Sequence, residues 1–208
     1  MTRIKICGVS TPDIVETCRD LRVDHIGFVF AAKSSRAVTP AQAAALAAQA
    51  GALSTVGLFV DPRDEEIEAA LPAISVIQLH GAEAPARCAE IGARFSRPVW
   101  KAIGVGSPAD LSGSGAYAQA ADLVLYDAKP APGGPQGGLG VRFDWSLLKD
   151  RPPVRDWGLA GGLTPENVGR AIAATRAPLV DISSGVEDAP GQKDKAKIAA
   201  FVDRVRRS

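Results

Sequence analysis

Short apolar runs alternate with longer amphipathic segments along the chain. The short runs have the length and aliphatic composition of strands, and the longer segments carry apolar residues at helical spacing. The predicted strands are Ile4–Gly8, His25–Phe30, Thr55–Val60, Val76–His80, Val99–Ile103, Leu123–Asp127, Gly158–Ala160 and Leu179–Ser183. The predicted helices are Pro12–Arg22, Pro40–Gln49, Arg63–Leu71, Ala84–Phe95, Pro108–Gln119, Trp145–Lys149, Pro165–Ala174 and Asp194–Arg206.

This alternation predicts a parallel sheet, because each strand returns to the sheet through a helix. Closing the sheet into a (β/α)8 TIM barrel would remove its exposed edges. Several predicted helices also begin with a capping residue followed by proline, as in Thr39-Pro40 and Thr164-Pro165. No shift in composition marks a boundary, so we expect residues 1–208 to form one domain.

Composition and charge exclude several classes of protein. Hydrophobic residues make up 46% and charged residues 23%, as in soluble globular domains. The formal net charge of +1 gives no sign of a nucleic-acid or membrane partner. Arg3, Lys5 and Asp13 interrupt any early apolar run, which argues against a signal peptide. The 3 cysteines lack C-x-x-C spacing, so we expect no disulfide framework, no zinc site and a cytoplasmic location.

Two loops rich in small residues follow the last two predicted strands. One contains Gly161-Gly162 and the other Ser183-Ser184-Gly185. Small residues let backbone N–H groups approach an anion, and the last two strands of such barrels commonly hold phosphate. Either loop alone is more typical of a tight turn between strand and helix. The two in tandem predict a phosphate site at Gly161, Gly162, Ser184 and Gly185.

Two further loops are longer than a simple connection requires. Ala31–Val38 follows the second strand, and Ala128–Arg142 follows the sixth. Loops after strands form the active-site face of a barrel. The second loop is rich in glycine and proline, which fits either a mobile lid or a disordered connection.

The first and sixth strands carry the candidate acid–base pair. Residues two apart share a strand face, so Lys5 and Cys7 both point into the predicted barrel. A lysine beside the thiol would lower its pKa below roughly 8.5, which suits a general base. Asp127 ends an inward apolar stripe, where burial would raise its pKa and favour a general acid. A structural role, as a small core residue for Cys7 and a loop cap for Asp127, remains the alternative.

Four further polar residues lie at strand ends or in the loop after the second strand. The guanidinium of Arg36 would hold a substrate carboxylate in a bidentate pair, unless it is an ordinary solvated loop arginine. Gln78 and His80 share a face of the fourth strand, where His80 is more typical of a structural residue. Asp181 would orient substrate or pair with a neighbouring lysine.

The other two cysteines have no predicted part in the site. Cys18 and Cys88 lie within helical patterns and are predicted to be core residues.

An ordered set of motifs spans almost the entire chain. These motifs are K-I-C-G (Lys5–Gly8), G-F-V-F followed by K-S-S-R (Gly27–Arg36), V-G-L-F-V (Val56–Val60), Q-L-H-G-A-E (Gln78–Glu83), L-Y-D (Leu125–Asp127), F-D-W (Phe143–Trp145), L-A-G-G-L-T-P-E-N-V (Leu159–Val168), and D-I-S-S-G-V-E with P-G-Q-K-D (Asp181–Asp194). In this order they resemble the phosphoribosylanthranilate isomerase family of tryptophan biosynthesis. One departure from the family pattern is Leu139, which stands where a small hydroxyl residue is usual in a G-G-[ST]-G loop.

The resemblance implies an Amadori rearrangement of N-(5-phosphoribosyl)anthranilate to 1-(2-carboxyphenylamino)-1-deoxyribulose 5-phosphate. It assigns Asp127 as the acid, Cys7 as the base and Arg36 as the partner of the anthranilate carboxylate. Lys5, Gln78, His80 and Asp181 are then expected to line the substrate site. The resemblance implies no cofactor and no metal, a small phosphosugar-anthranilate substrate as the ligand, and a monomer or homodimer.

Two other readings remain open on the sequence alone. Another phosphosugar barrel is one, but metal-dependent epimerases need His and Asp pairs, and this chain has only His25 and His80. The bifunctional isomerase shared with histidine biosynthesis would be expected to carry aspartate in place of Cys7. The second reading is a catalytically silent phosphate-binding barrel that scaffolds a partner, against which the inward Lys5 and Cys7 argue.

Overall fold

Eight parallel strands close into a barrel in the computed structural model, which describes residues 1–129 and 144–208. The strands follow one another around the barrel in chain order, and β8 pairs with β1. They are β1 Arg3–Cys7, β2 His25–Val29, β3 Ser54–Phe59, β4 Val76–Leu79, β5 Val99–Val105, β6 Leu123–Ala128, β7 Trp157–Leu159 and β8 Leu179–Ile182. The predicted (β/α)8 barrel is confirmed, and each predicted strand lies within two residues of the observed one.

The helices of the described residues surround the sheet. The α-helices are α1 Pro12–Asp20, α2 Pro40–Ala47, α3 Asp64–Ala70, α4 Pro85–Phe95, α5 Pro108–Ser112, α6 Val168–Thr175 and α7 Lys195–Arg206. Two predicted helices differ from the prediction. The segment Trp145–Asp150 is a 3-10 helix, and the predicted helix Pro108–Gln119 divides into α5 and a 3-10 helix at Ser114–Tyr117.

The start of α6 corrects another prediction. Thr164-Pro165 was expected to open this helix, but α6 begins at Val168, after a turn. Asn167 stabilises the turn: its side chain accepts a hydrogen bond from the Thr164 amide and donates one to the Gly162 carbonyl, both at 2.8 Å. The amide side chain of Asn167 thus fixes the loop that carries Gly162.

A short hairpin that the sequence did not predict follows β8. Its strands are β9 Glu187–Ala189 and β10 Gln192–Lys193, which pair antiparallel. The hairpin is tied to the start of α7, because the Lys197 ammonium donates to the Glu187 carbonyl at 2.9 Å. It therefore forms a fixed extension of the β8–α7 connection at the barrel mouth.

Two apolar clusters stabilise the fold. The larger lies between the sheet and the helices and includes Ile4, Ile6, Cys18 and Cys88, so both helix cysteines are core residues as predicted. The smaller fills the barrel and consists of Val56, Val76, Trp100, Ala102, Leu123, Leu125, Ala160 and Leu179. Strands β1 and β2 contribute nothing to this inner cluster, and their inward side chains are mostly polar.

Most of the predicted long loop Ala128–Arg142, including Leu139, lies outside the described residues; only Ala128 and Lys129 are described. In the described part of the chain, no helix has both the length and the apolar character needed to cross a membrane.

His25 is a neutral histidine inside the barrel. Neither of its ring nitrogens has a hydrogen-bond partner among the described residues. The ring lies edge-on to Trp100, with 5.0 Å between the ring centroids. Burial is the main reason that the pKa of His25 falls to about 4.

We expect His25 to make the stability depend on pH. The unfolded chain binds a proton near pH 6.5, whereas the folded chain does so only near pH 4. The stabilisation is therefore complete above pH 6.5 and is lost as the pH falls to 4, by up to about 3 kcal/mol. The measurement is the free energy of unfolding in urea from pH 4 to 8. The variant His25→Leu should show a shallower pH dependence, and an identical slope in both proteins would contradict the assignment.

Candidate active site

Cys7 lies at the C-terminal end of β1 with its thiol directed into the barrel mouth. It is 5% exposed, and its strand neighbour across the β1–β2 pairing is Gly27. A Cβ atom on Gly27 would lie 3.0 Å from the Cys7 sulfur and 3.2 Å from Cε of Lys5. The missing side chain at Gly27 therefore leaves room for both the thiol and the lysine.

The expectation of a lowered thiol pKa is wrong. Burial raises the pKa of Cys7 above its ordinary value, and this effect exceeds the opposing influence of the Lys5 and Lys193 ammonium groups. The sequence correctly placed a lysine beside the thiol. It did not show how completely the thiol is removed from water, and desolvation disfavours a thiolate.

Lys5 and Asp181 form a buried ion pair between β1 and β8. The Lys5 Nζ and Asp181 Oδ2 atoms are 2.8 Å apart, and the side chains are 0% and 7% exposed. Burial lowers the pKa of Lys5, but the charges of Asp181 and Cys7 outweigh burial and raise it. Lys5 therefore remains charged beside the thiol. Of the two roles left open for Asp181, the structure shows pairing with a lysine.

Asp127 lies near the end of β6, at the same end of the barrel as Cys7. Its Oδ2 atom is 3.2 Å from Nε2 of His80, which follows β4. The side chains of Asp127 and His80 are 26% and 34% exposed, so this pair faces the mouth rather than the core. The sequence did not predict this pairing. It gives His80 a defined partner at the site and gives Asp127 a neighbour that orients its carboxyl.

Two buried oxygen atoms have no hydrogen-bond donor among the described residues. They are Oδ1 of Asp181 and Oε1 of Gln78, and both side chains lie inside the barrel. The Gln78 amide nitrogen is 3.4 Å from Nδ1 of His80, which leaves its oxygen as the open group. Buried acceptors without donors are costly, so these oxygens are suited to hydroxyl donors from a ligand.

Arg36 is not a solvated loop arginine. Its Nε and Nη2 atoms donate to the two carboxylate oxygens of Glu187 at 2.7 and 2.6 Å. The Arg36 side chain is 18% exposed and that of Glu187 only 4%. The aliphatic stem of Arg36 lies directly over Gly8, where a Cβ atom would be 2.6 Å from its Cδ. Arg36 is thereby held next to Cys7.

Glu187 and Lys193 are the site residues that sequence reasoning missed. The Lys193 ammonium donates to Oε1 of Glu187 at 2.6 Å and to the Ser183 carbonyl at 3.1 Å. The Ser183 hydroxyl in turn donates to the Cys7 carbonyl at 3.1 Å. Both residues lie within motifs quoted for the family resemblance, which was the available signal. Nothing in the sequence showed that Glu187 meets Arg36, because 151 positions separate them.

The two glycine-containing loops are in direct contact. A Cβ atom on Gly185 would lie 2.0 Å from the Leu163 carbonyl oxygen. Gly161 has a φ of +82°, and a Cβ atom there would lie 2.6 Å from Oδ1 of Asp127. Close packing therefore explains Gly161 and Gly185 on structural grounds alone.

The backbone amides of these loops remain open. No hydrogen bond among residues 1–129 and 144–208 uses the N–H of Gly162, Ser184 or Gly185 as donor. Backbone N–H groups that converge from two adjacent loops form a site for an anion. The described residues contain no cluster of three or more side chains suited to a metal ion.

Comparisons of the sequence with known proteins point to one family. A family model described as N-(5'phosphoribosyl)anthranilate (PRA) isomerase matches residues 4–204. The N-(5'-phosphoribosyl)anthranilate isomerase of Paracoccus denitrificans (strain Pd 1222) is 50% identical over 205 residues, which cover 97% of this chain and 95% of that protein.

Two solved structures are similar over their full length. The crystal structure of phosphoribosyl anthranilate isomerase from Thermotoga maritima has a TM-score of 0.91 and 35% identity, with 100% of both chains covered. A phosphoribosyl anthranilate isomerase in complex with reduced 1-(o-carboxyphenylamino)-1-deoxyribulose 5-phosphate has a TM-score of 0.86 and 33% identity, again covering 100% of both chains.

We expect Cys7 to react slowly with alkylating agents at neutral pH. Its raised pKa keeps the thiolate scarce, and the fully buried Cys18 and Cys88 have pKa values of about 12 and 11. With iodoacetamide, the alkylation rate at Cys7 should still rise above pH 9, as followed by peptide mass spectrometry. The urea-unfolded protein is the control and should level off near the ordinary thiol pKa. A plateau below pH 8 in the folded protein would contradict the raised pKa.

Proposed function

The chain belongs to the N-(5'-phosphoribosyl)anthranilate isomerase family, and we propose from this that it rearranges N-(5-phosphoribosyl)anthranilate to 1-(2-carboxyphenylamino)-1-deoxyribulose 5-phosphate in tryptophan biosynthesis. The reaction is an Amadori rearrangement, in which an aldose derivative becomes a ketose derivative. One observation of the site carries the proposal: a thiol on β1 and a carboxyl on β6 lie at the same end of the barrel, beside open backbone amides.

Asp127 is the proposed general acid. Its partly exposed carboxyl would protonate the ring oxygen of the furanose, and the ring would open to a protonated Schiff base at C1′. His80, 3.2 Å from the Asp127 carboxylate, would orient that carboxyl. The anthranilate nitrogen receives the electron pair in the next step, so the chain's own groups need only move protons.

Cys7 is the proposed general base. Its thiolate would remove the proton from C2′, and the electron pair would move through C1′ to the nitrogen to give an enolamine. A proton added at C1′ and loss of the hydroxyl proton at C2′ then give the ketone. The positive charges of Lys5 and Lys193 favour the thiolate form, although burial opposes it.

The phosphate and the sugar would be held by groups without partners among the described residues. The N–H groups of Gly162, Ser184 and Gly185 would bind the phosphate, with Gly161 shaping the loop around Asp127. The open oxygens of Gln78 and Asp181 would accept hydrogen bonds from sugar hydroxyls. Anchoring the phosphate holds the reacting carbons between acid and base.

Arg36 is the proposed partner of the anthranilate carboxylate. Glu187 uses its Nε and Nη2 donors, and Nη1 makes no hydrogen bond with the described residues. The guanidinium can therefore offer a second edge, formed by its two terminal nitrogens, to a carboxylate. The 3 free thiols fit a reducing compartment, and we place the enzyme in the cytoplasm.

Turnover of N-(5-phosphoribosyl)anthranilate by the purified protein tests the function. Substrate is consumed with loss of anthranilate-type fluorescence, so a fluorescence assay follows the reaction directly. Multiple turnovers by the wild-type protein are expected. If substrate disappears no faster than in buffer, the proposed function is wrong, and the silent phosphate-binding barrel becomes the better explanation.

We expect Cys7→Ala and Asp127→Asn each to lower kcat far more than they weaken phosphate binding. General acid–base catalysis typically contributes ~10²–10⁴-fold, so a loss of this size is expected in each variant. The measurement is kcat together with the inhibition constant of the reduced product analogue. Cys18→Ala changes a thiol away from the mouth and is the matched control for Cys7→Ala. Near-normal turnover would remove the substituted residue from the mechanism.

We expect Arg36→Met chiefly to raise KM, because the guanidinium would bind the carboxylate alike in the ground state and the transition state. Steady-state kinetics with the anthranilate substrate provide the measurement. The phosphate contacts stay intact in this variant, so inorganic phosphate should inhibit it as it inhibits the wild type. An unchanged KM would assign Arg36 to a purely structural role.

A further inference from the structure

The hairpin after β8 is linked to Arg36 from two directions. Glu187, at its start, makes both hydrogen bonds to the guanidinium. Gly191, at its turn, lies against the backbone before Arg36: a Cβ atom there would be 2.5 Å from the Ser35 carbonyl oxygen. The Gly191 φ of +84° also favours glycine at this position. The hairpin therefore contacts both the side chain and the loop of Arg36.

Glu187 is held in place independently of Arg36. The Lys193 ammonium donates to its Oε1 atom at 2.6 Å, and the Gly191 amide donates to its Oε2 atom at 3.3 Å. Burial opposes ionisation, but the hydrogen bonds and charges of Arg36 and Lys193 prevail, and the pKa of Glu187 falls to about 2. Glu187 is thus a fixed, fully ionised acceptor with a side chain only 4% exposed.

The charges of this group matter for a ligand. Burial lowers the pKa of Lys193, and the ion pair with Glu187 opposes that shift. With Arg36 and Lys193 both charged against the single negative charge of Glu187, the group keeps one net positive charge. A lone Arg–Glu pair would be neutral and would attract a carboxylate much less. Lys193 therefore leaves the guanidinium with a net attraction for an anion even though Glu187 occupies one of its edges.

The geometry also fixes which edge is presented. Glu187 occupies the edge formed by Nε and Nη2, so the edge formed by the two terminal nitrogens is the one that remains for a ligand. The stem of Arg36 cannot shift toward β1 without meeting Gly8, which follows Cys7. The hydrogen bonds to Glu187 raise the pKa of Arg36, and the guanidinium is also close enough to Cys7 for the charge of the thiolate to raise it. The anthranilate group at C1′ must lie in this neighbourhood when Cys7 acts at C2′.

We propose that Glu187 is a positioning residue that orients Arg36 to select substrates carrying an aryl carboxylate, with Lys193 preserving the positive charge of the pair. This inference rests on the proposed function. A guanidinium that is already oriented loses less conformational entropy on binding, so the gain is specific to ligands that carry the carboxylate. The residue does not touch the reacting atoms.

The test uses two ligands that differ only in the carboxylate. One is reduced 1-(o-carboxyphenylamino)-1-deoxyribulose 5-phosphate, and the other is the corresponding compound made from aniline. Titration calorimetry on the full chain gives Kd for both ligands with the wild type, Glu187→Ala and the isosteric Glu187→Gln. Binding of the aniline compound shows at the same time that each variant is folded.

We expect Glu187→Ala to raise the Kd of the carboxylated ligand by roughly 10-fold, because the freed arginine side chain would have to be ordered when the ligand binds. The Kd of the aniline compound should change less than about 2-fold, the spread expected when the substituted residue and the ligand share no partner. Glu187→Gln keeps the shape but loses the charge, and it should fall between the wild type and Glu187→Ala. In steady-state kinetics, KM should rise while kcat stays near the wild-type value.

Two controls separate positioning from general destabilisation. In an Arg36→Met background, adding Glu187→Ala should not weaken the carboxylated ligand further, because the orienting effect acts only through Arg36. Asp156→Ala breaks an arginine–carboxylate pair with Arg3 at the opposite end of the barrel and should leave both Kd values unchanged.

Equal losses for the two ligands, or an undiminished loss in the Arg36→Met background, would overturn the positioning role while leaving the activity intact. If the wild type binds the two ligands equally, the selection for a carboxylate is absent and the inference is wrong, although turnover can still occur. If the wild type binds neither ligand and shows no turnover, the proposed function is wrong and the inference falls with it.

Discussion

The ion pair between Lys5 and Asp181 is the interaction on which the site depends. It lies across the seam where β8 meets β1, and the two residues are neighbours in the strand pairing. Two buried charges are tolerable only when they meet, and removing one partner of such a pair typically costs about 3–5 kcal/mol. The pair therefore stabilises one register at the seam, and that register places Cys7 beside a permanent positive charge.

The barrel mouth divides into regions of different chemistry around this seam. On the side of β1, β2 and β8 lie the thiol, the Lys5–Asp181 pair, and Arg36 with its hairpin. Asp127, the proposed acid, lies across the mouth on β6, and the open amides follow β7 and β8. Deeper in the barrel, the interior is filled by the smaller apolar cluster. In the proposed mechanism, the substrate would span all three regions.

Much of this arrangement could be predicted from the sequence because local rules govern it. Strand alternation placed Lys5, Cys7 and Asp181 inside the barrel, and the capping signal at Thr39 is confirmed by its bond from the Gln42 amide. Predictions that depended on the surroundings of a side chain in the folded protein were less successful. The pKa of Cys7 is raised because burial is set by the whole fold, and Glu187 reaches Arg36 only after the barrel closes. The turn before α6 was missed because Asn167 bonds locally in place of the expected Thr164 cap.

The contact between Gly185 and the Leu163 carbonyl bears on how this barrel can be altered. An added methyl group would overlap that oxygen, so the connections after β7 and β8 must change shape together. We expect an insertion next to this contact in one connection to displace the other, together with its backbone amides. To graft the proposed anion site onto another barrel, an engineer would therefore have to transfer the two connections together, because exchanging either one alone would disturb their contact.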